Sequence, residues 1–254
     1  MKLNTVICDD IFNVMPKIAD KSIDMILTDM PYNTTACSWD KEVIPLDNLW
    51  EGFKRIIKDN GAIVMTASQP FTSKLVMSNL KMFKYEWIWT KNRTSGFAVV
   101  KYQPLRNHEN VLVFCKTSSK YNPIKEERDL NEDSKKRYNY EFNSEQGENN
   151  IQGGIKKVKT GNLKNTLRYP TTSKKFNAVP NVKMLHPTQK PVALMEYLIK
   201  TYTNEGDIVF DGFAGSGTTG VACQNLNRKF ILIEKEQKYV DIIKKRLAQG
   251  ILNL

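Results

Sequence analysis

The sequence predicts an α/β protein in which helices cover both faces of a largely parallel sheet. Two observations carry this prediction. Short apolar runs rich in β-branched and aliphatic residues alternate with amphipathic stretches along most of the 254 residues. Two of the runs also lead into an aspartate followed by a turn, at Asp29 and at Asp211. Because ligands bind at the carboxyl ends of strands in open α/β sheets, we expect both acids at a functional site.

The first 115 residues supply five predicted strands and three predicted helices. Each strand is an apolar run, and the helices carry apolar residues at helical spacing, as Leu49 and Phe53 do. We expect Asn60-Gly61 to end the second helix and Pro70 to begin the third. The strands are Thr5 to Asp10, Ile23 to Leu27, Ala62 to Thr66, Tyr85 to Trp89 and Asn110 to Phe114, and the helices are Ile11 to Ile18, Leu46 to Lys58 and Pro70 to Leu80.

The same alternation resumes at residue 186. A strand leads through a glycine-rich turn, residues 212–220, into a helix, which is typical of a nucleotide-binding strand and turn. The remaining elements are a helix from Val192 to Tyr202, strands from Asp207 to Asp211 and from Phe230 to Glu234, and a basic helix from Gln237 to about Gln249.

Composition limits the class of partner and the compartment. The formal net charge of +11 and the pI near 9.3 favour an anionic partner, and nucleic acid is the first candidate. No apolar stretch approaches the roughly 20 residues of a membrane span, and Met1 to Asn4 lack the apolar region of a signal peptide. We therefore expect a cytoplasmic protein.

The cysteines argue against a metal centre. The four cysteines are far apart, form no CxxC pair and have only two histidines beside them. This spacing is not that of a structural zinc site or of a disulfide framework. None follows a proline, as a covalent nucleophile for methylation of a pyrimidine ring carbon would.

The composition changes at Lys116, and from there to about Lys183 the chain is rich in Lys, Asn, Ser, Glu and Tyr. We therefore predict that residues 116–185 form an inserted basic segment that reads nucleic acid. Its acids leave a surface segment without a binding role as the alternative.

Three stretches carry candidate DNA contacts. Residues 33–45 follow the Asp29 motif, and a flap over the site or a plain loop both fit them. Residues 91–109 interleave basic and aromatic side chains, which suits phosphate contact and base stacking but also a solvated loop. The candidates, with those of the basic segment, are Thr35, Trp39, Arg93, Lys101, Arg106, Lys135, Lys136, Arg137, Lys156 and Lys157.

The stretch Thr28-Asp29-Met30-Pro31-Tyr32 suits attack by an aromatic amine. The lone pair of an exocyclic amine on a nucleobase is delocalised into the ring, so the nitrogen is a poor nucleophile. If the Asp29 carboxylate and the Pro31 carbonyl each accept one amine hydrogen, the nitrogen can pyramidalise and expose its lone pair. Tyr32 would offer a flat face to a base taken out of the duplex. A strand followed by an Asx turn is the alternative.

The glycine-rich turn matches the dinucleotide-binding pattern as Gly215-x-Gly217-x-x-Gly220, with Glu234 placed to meet a ribose. Asp211 argues against a nicotinamide cofactor, since its carboxylate would lie near the phosphates. The same acid suits the α-ammonium of S-adenosylmethionine, whose ribose diol suits Glu234. Asp10, at another strand end, would accept from the adenine amino group. A helix cap or a turn is the alternative for each acid.

Together these motifs resemble those of the amino-methylating DNA methyltransferases, which carry Asp-Pro-Pro-Tyr and Phe-x-Gly-x-Gly. Here they are Asp29-Met30-Pro31-Tyr32 and Phe213-Ala214-Gly215-Ser216-Gly217. The catalytic motif comes first and a variable basic segment separates the two, which is similar to the β arrangement, a circular permutation of the motif order. His186-Pro187-Thr188-Gln189-Lys190-Pro191 matches the stretch that the family places beside the methionine part of the cofactor. Met30 departs from the usual proline.

The resemblance implies a Rossmann-like, seven-stranded methyltransferase sheet whose amino-terminal strand lies beside that of Glu234. It implies a catalytic half in residues 1–115, a target recognition segment in 116–185 and a cofactor-binding half in 186–254. Asp29, Pro31 and Tyr32 would be catalytic. The residues that would bind S-adenosylmethionine are Asp10, Asp29, His186, Thr188, Lys190, Asp211, Phe213, Ala214, Gly215, Ser216, Gly217, Thr218 and Glu234.

The implied reaction is methyl transfer to the 6-amino group of adenine in double-stranded DNA after base flipping. An aspartate at the head of the catalytic motif favours adenine in that family, and the 4-amino group of cytosine is the alternative. A DNA-binding protein without catalysis is a further alternative, supported only by Met30. Two partners stay open at this point: a second copy of the chain and a cognate restriction endonuclease.

Overall fold

A computed structural model of the chain describes residues 1–32, 44–127, 167–180, 182 and 184–252. Two compact units are present, one formed by Met1–Asn122 with Thr171–Leu254 and the other by Pro123–Pro170. Throughout the described part of the chain, every helix is too short or too polar to span a bilayer.

The larger unit is built on a mixed sheet of eight strands in its described residues. The strands are β1 (Thr5–Cys8), β2 (Ile23–Thr28), β3 (Ile57–Ala67), β4 (Phe83–Ser95), β5 (Arg106–Phe114), β8 (Ser173–Lys175), β9 (Ile208–Asp211) and β10 (Lys229–Glu234). They lie in the order β1-β10-β9-β2-β3-β5-β4-β8, and the first five in this order are mutually parallel. Strand β5 runs antiparallel to both of its neighbours.

Helices cover both faces of this sheet, as expected for parallel strands buried on both sides. Strand β2 illustrates the reason, since all six of its residues are buried. Two apolar clusters form the core, one on each face; the first contains Ile26 and Phe53, and the second contains Leu27 and Leu198. The helices are α1 (Ile11–Val14), α2 (Leu46–Ile56), α3 (Phe71–Ser78), α4 (Val192–Tyr202), α5 (Thr218–Asn225) and α6 (Gln237–Leu252).

The implied position of the amino-terminal strand is confirmed. Strand β1 pairs in parallel with β10, with Cys8 opposite Glu234. Seven of the strands form the expected methyltransferase-type sheet, and the three-residue β8 adds an eighth at its edge by pairing with β4. Residues 173–175 are polar, so the sequence had no apolar signal for this strand.

Three predicted helix ends were wrong, and the third helix ends at Ser78 instead of Leu80. The helix expected over Ile11 to Ile18 ends at Val14 and continues as a 3-10 turn over Met15–Lys17, because Pro16 has no N–H to donate. The second helix ends at Ile56, and Asn60-Gly61 lies inside β3 instead of ending the helix. A Cβ at Gly61 would lie 2.8 Å from the Asp24 carbonyl oxygen, so the glycine permits close pairing with β2.

The segment expected as a loop between residues 91 and 109 is largely a β-hairpin. Strand β4 extends to Ser95, β5 begins at Arg106, and Ser95 pairs with Arg106. The hairpin tip is therefore residues 96–105, which begin with a 3-10 turn over Phe97–Val99.

The inserted unit is shorter than the predicted segment 116–185. Residues on both sides of it belong to the larger unit, because the Asn122 N–H donates to the Thr201 carbonyl and Ser173–Lys175 pairs with β4. The described residues of the smaller unit form an antiparallel pair, β6 (Glu126–Glu127) and β7 (Leu167–Arg168). Arg168 lies 3.9 Å from the Glu126 carboxylate within this unit.

Candidate active site

A cavity of about 230 Å³ lies at the carboxyl ends of β1, β2, β9 and β10. The parallel register brings these four ends to one edge of the sheet, so acids far apart in the sequence meet there. The predicted site residues that line this cavity are Asp10, Asp29, Pro31, His186, Thr188, Lys190, Asp211, Phe213, Ala214, Gly215, Ser216, Thr218 and Glu234.

Asp29 directly follows β2 and is held by three donors. Its Oδ1 accepts from the Tyr32 hydroxyl at 2.5 Å and from the Thr66 hydroxyl at the end of β3. Its Oδ2 accepts from Lys190 Nζ at 2.6 Å. A carboxylate accepts about four hydrogen bonds, two on each oxygen. The Asp29 side chain lines the cavity, and its Oδ2 can accept one more hydrogen bond.

Lys190 pairs with Asp29 although its side chain is only 7% exposed. A second carboxylate, Glu109 Oε2, lies 3.6 Å from the same ammonium, and the Lys91 ammonium donates to Glu109 Oε1. Burial alone lowers the pKa of Lys190, but Asp29 and Glu109 outweigh it and raise this pKa above its usual value. The four side chains form alternating negative and positive charges with no net charge.

Tyr32 is placed as a partner of Asp29. Burial and the Asp29 carboxylate raise the pKa of Tyr32 well above its usual value, so its hydroxyl stays a donor. The ring stacks on Phe71 with centroids 5.4 Å apart and planes at 23°. Phe71 therefore covers one face of the ring, and Lys190 Nζ lies 5.7 Å from the ring centroid.

Asp211 ends β9 and is 3% exposed. Its Oδ1 accepts from the Thr28 hydroxyl at 2.8 Å and from the Phe213 N–H at 3.1 Å, and its Oδ2 accepts from the Thr219 hydroxyl at 2.6 Å. Burial raises the pKa of Asp211 to about 6. One acceptor position remains on Oδ2, and a cationic ligand there would offset the cost of burying the charge.

Glu234 ends β10 and holds the glycine-rich turn. Its Oε2 accepts from the Gly215 N–H at 2.8 Å and its Oε1 from the Glu236 N–H at 2.9 Å. The Lys235 N–H also hydrogen-bonds this carboxylate, so about one of its four acceptor positions is left on the side that lines the cavity. Burial raises the pKa of Glu234 above its usual value.

Gly217 lies outside the lining of the cavity and has a structural role. It precedes α5 with φ of +77°, and a Cβ there would lie 2.7 Å from Ile243 Cγ2 of α6. Next to it, Arg246 donates to the Ser216 carbonyl at 2.5 Å and lies 3.1 Å from the Ser216 hydroxyl. Helix α6 thus holds the turn from behind.

His186 and Asp10 have local partners in addition to lining the cavity. The His186 ring packs against Tyr239, with centroids 4.3 Å apart, and burial lowers the pKa of His186 to about 4. A neutral ring is consistent with Nδ1 accepting from the Thr188 N–H at 3.3 Å. Asp10 caps α1 by accepting from the Phe12 N–H at 2.9 Å. A helix cap was the alternative to the predicted contact of Asp10 with the adenine amino group.

The candidate DNA contacts fall into two groups. Lys101 is exposed at the hairpin tip, Arg93 donates to the Val179 carbonyl, and Arg106 donates to the Ser68 hydroxyl at 2.5 Å. Phe97 and Tyr102 at the same tip are 66% and 89% exposed. The others, Thr35, Trp39, Lys135, Lys136, Arg137, Lys156 and Lys157, lie outside the described residues.

Several site residues were not among the sequence predictions. Thr66 and Glu109 contact the Asp29 cluster, and Thr28 and Thr219 contact Asp211. Thr66 is the last residue of a predicted strand, so the sequence could have identified it as a site residue. No feature of the sequence indicated Glu109. Among the described residues, no group of three or more His, Cys, Asp or Glu side chains is placed to hold a metal ion.

The fold and this site together define a methyltransferase-type α/β protein. The family model described as DNA methylase matches residues 23–245. The chain belongs to this DNA methylase family.

Individual relatives agree with this assignment. The chain is 30% identical over 257 residues to the type II methyltransferase M.HpaI of Haemophilus parainfluenzae, which covers 95% of this chain and 73% of that protein. It is 30% identical over 271 residues to the DNA adenine methyltransferase YhdJ of Escherichia coli, covering 96% and 82%.

Solved structures share the fold. The M1.HpyAVI complex with S-adenosylmethionine superposes with a TM-score of 0.61 at 26% identity, covering 96% of this chain and 99% of that one. The cytosine-N4-specific PvuII DNA methyltransferase superposes with a TM-score of 0.68 over 95% of this chain and 85% of that one. Its identity is 16%, so this second likeness concerns the fold alone.

Proposed function

We propose that the chain is an S-adenosylmethionine-dependent DNA methyltransferase that methylates the 6-amino group of adenine in duplex DNA after base flipping. The observation that carries this proposal is Asp29, held by Tyr32, Thr66 and Lys190 with one acceptor position left at the cavity wall. Membership of the DNA methylase family supports the reaction class.

The residues of the cavity fit S-adenosylmethionine. Asp211 is a buried carboxylate with one acceptor position left, which suits the α-ammonium of the amino-acid part. Glu234 lines the same cavity with about one acceptor position left, which suits a hydroxyl of the ribose diol. The cofactor supplies an electrophilic methyl group on a sulfonium sulfur. His186, Thr188 and the turn from Phe213 to Thr218 line the rest of the cavity.

The chain's own groups would act on the target amine. Asp29 Oδ2 accepts one amine hydrogen, and the Pro31 carbonyl, on the same wall, accepts the other. Two acceptors outside the ring plane favour a pyramidal nitrogen with an exposed lone pair. The Tyr32 ring, held beside Asp29 by the hydrogen bond between their side chains, would contact the flipped base.

Adenine is preferred over cytosine for two reasons. An aspartate leads the catalytic motif, and a relative of 30% identity, YhdJ, is named a DNA adenine methyltransferase. The described DNA contacts would come from the hairpin tip, with Lys101 on phosphates and Phe97 and Tyr102 against bases or sugars.

Partners and compartment belong to the same proposal. M.HpaI and M.HinfI are named type II methyltransferases, which supports a role as the modification partner of a restriction endonuclease in the cytoplasm. The target recognition segment would choose the sequence through major-groove contacts. A second copy of the chain is a further partner to test, by measuring the rate of methylation per protein molecule over a range of protein concentrations.

The decisive experiment is to incubate the purified protein with unmethylated DNA and isotopically labelled S-adenosylmethionine, and to identify the labelled nucleoside by mass spectrometry. We expect N6-methyl-2′-deoxyadenosine. A label on N4 of 2′-deoxycytidine would keep the mechanism and replace the target base. Cofactor binding without transfer to any DNA would overturn the proposal in favour of a non-catalytic binder.

A further inference from the structure

Glu109 is a buried carboxylate at the active site that the proposed reaction does not use. It lies on β5 opposite Trp89 of β4, and its side chain is 16% exposed. Its Oε1 accepts from Lys91, whereas its buried Oε2 makes no hydrogen bond to any described residue. The Lys190 ammonium lies 3.6 Å from Oε2. A buried carboxylate oxygen without a hydrogen bond lowers the stability of the folded protein. We therefore looked for a functional reason for the placement of Glu109 Oε2.

The geometry around Lys190 gives that function. The ammonium lies between Asp29 Oδ2 at 2.6 Å and Glu109 Oε2 at 3.6 Å, so both carboxylates attract it. The Lys190 ammonium fills one of the two acceptor positions on Asp29 Oδ2, and its location determines which of the two is left for the target amine. A lysine side chain has four rotatable carbon bonds and no fixed geometry of its own. Restraint therefore has to come from a second charge.

We propose that Glu109 is a positioning residue, which holds the Lys190 ammonium against Asp29 Oδ2 so that one acceptor position stays aimed at the target amine. This inference rests on the proposed methylation of an exocyclic amine. Lys91 completes the arrangement, because its ammonium fixes Glu109 Oε1 and leaves Oε2 towards Lys190. Glu109 touches neither the amine nor the cofactor, and it acts through Lys190.

The test uses Glu109→Gln, which removes the charge and keeps the shape. We expect kcat to fall roughly 10- to 100-fold, as misplaced catalytic groups commonly cause, while KM for DNA and the affinity for S-adenosylmethionine change little. Glu86→Gln is the matched control: Glu86 lies on the same hairpin and accepts from Asn110 at 2.7 Å, and a glutamine oxygen can still accept there. Glu86→Gln should keep the wild-type kcat.

The pH profile separates positioning from a purely structural role. The titratable groups around Lys190 are Asp29, Glu109, Tyr32 and His186. Loss of Glu109 removes one of the two carboxylates that raise the pKa of Lys190, so the alkaline fall of kcat should begin at lower pH in Glu109→Gln. Glu109→Asp keeps the charge and should keep the wild-type alkaline limb.

A double-mutant cycle on Glu109 and Lys190 completes the test. If Glu109 acts through Lys190, the double variant Glu109→Gln with Lys190→Met should be no slower than Lys190→Met alone. Additive losses would overturn the inference, as would a wild-type kcat in Glu109→Gln. If the glutamine variant does not fold, Glu109→Asp still decides: a shifted alkaline limb despite the retained charge would overturn the inference. A wild-type protein that methylates no DNA would instead contradict the proposed function.

Discussion

Replacing Asp29 should separate catalysis from cofactor binding. Asp29→Ala removes the acceptor proposed for the target amine, so kcat should fall by roughly 100- to 10,000-fold. The affinity for S-adenosylmethionine should be largely kept, since Asp211 and Glu234 on the other walls are untouched. Methyl transfer from the labelled cofactor and calorimetric titration measure the two effects.

The matched control is Asp47→Ala, because Asp47 is an acid of the first turn of α2 and is not among the residues that line the cavity. It should behave as the wild-type protein. Unchanged methylation by Asp29→Ala would remove this carboxylate from the mechanism.

Asp211 should make cofactor affinity depend on pH. Its pKa in the free protein is raised to about 6 by burial, so the carboxyl gains a proton as the pH falls through this value and loses the charge that attracts an ammonium. The dissociation constant for S-adenosylmethionine should then rise roughly tenfold between about pH 7 and about pH 5. Calorimetric titration over this range is the measurement.

Asp211→Asn is the comparison for this pH effect. It should bind more weakly throughout and lose most of the pH dependence, with a remainder from Glu234, whose pKa burial also raises. His186 stays neutral over the range, because its pKa is lowered to about 4. An equal pH dependence in Asp211→Asn would assign the effect to another group.

At the residue scale, the sequence predicts the acids that end strands but not their partners. Asp29 and Asp211 were identified because a short apolar run precedes each of them. Lys190 reaches Asp29 across 161 residues of sequence, and Glu109 reaches Lys190 only because β5 lies next to β3 in the sheet. Neighbouring strand order is a property of the folded sheet, so periodicity along the chain cannot supply such pairs.

At the scale of elements, the glycine-rich turn depends on helix α6 as well as on its own sequence. Gly217 has φ of +77° and would place a Cβ 2.7 Å from Ile243, whereas Gly206 has φ of +80° and open space around it. Gly206→Ala should therefore cost only the left-handed backbone, about 1 to 2 kcal/mol. Gly217→Ala should cost clearly more, and urea unfolding measures both.

The pair separates two causes. The difference between the two variants reports the collision with Ile243, since the backbone cost is shared. Equal stabilities would mean that α6 yields to the extra methyl group without loss. Weaker S-adenosylmethionine binding in Gly217→Ala alone would follow from displacement of the Gly215 to Thr218 turn.

Element types were predictable from the sequence, and element ends were not. Apolar runs identified β2, β3 and β9, yet β4 extends through polar residues to Ser95, where Thr90 and Ser95 pair with β5 on either side of a register shift. The polar β8 exists only because the edge of β4 offers it unpaired backbone groups. Where the side chains show no apolar pattern, backbone pairing with the neighbouring strand therefore determines the length of a strand.

For the whole molecule, alternation of strands and helices predicts parallel order but not the reversal of β5 within the eight-stranded sheet. Strand β5 runs antiparallel between β3 and β4, because a tip of ten residues, 96–105, joins β4 to β5 directly. The reversal turns the hairpin tip, with Lys101, Phe97 and Tyr102, towards the edge at which the parallel strands end. A candidate DNA surface therefore extends from the active-site edge of the sheet to the hairpin tip.

The net charge of +11 predicts that DNA affinity depends steeply on salt. Each phosphate contact contributes about −0.9 to the slope of log affinity against log salt concentration, because binding releases condensed counterions. Lys101→Ala should make the slope shallower by about 1 if the Lys101 ammonium contacts a phosphate.

The control is Lys244→Ala, since Lys244 is an exposed lysine of α6, and it should leave the slope unchanged. Fluorescence anisotropy with an unmethylated duplex at several salt concentrations measures both. Identical slopes for Lys101→Ala and the wild-type protein would remove the hairpin tip from the phosphate contacts and leave the basic segment as the anionic partner's surface.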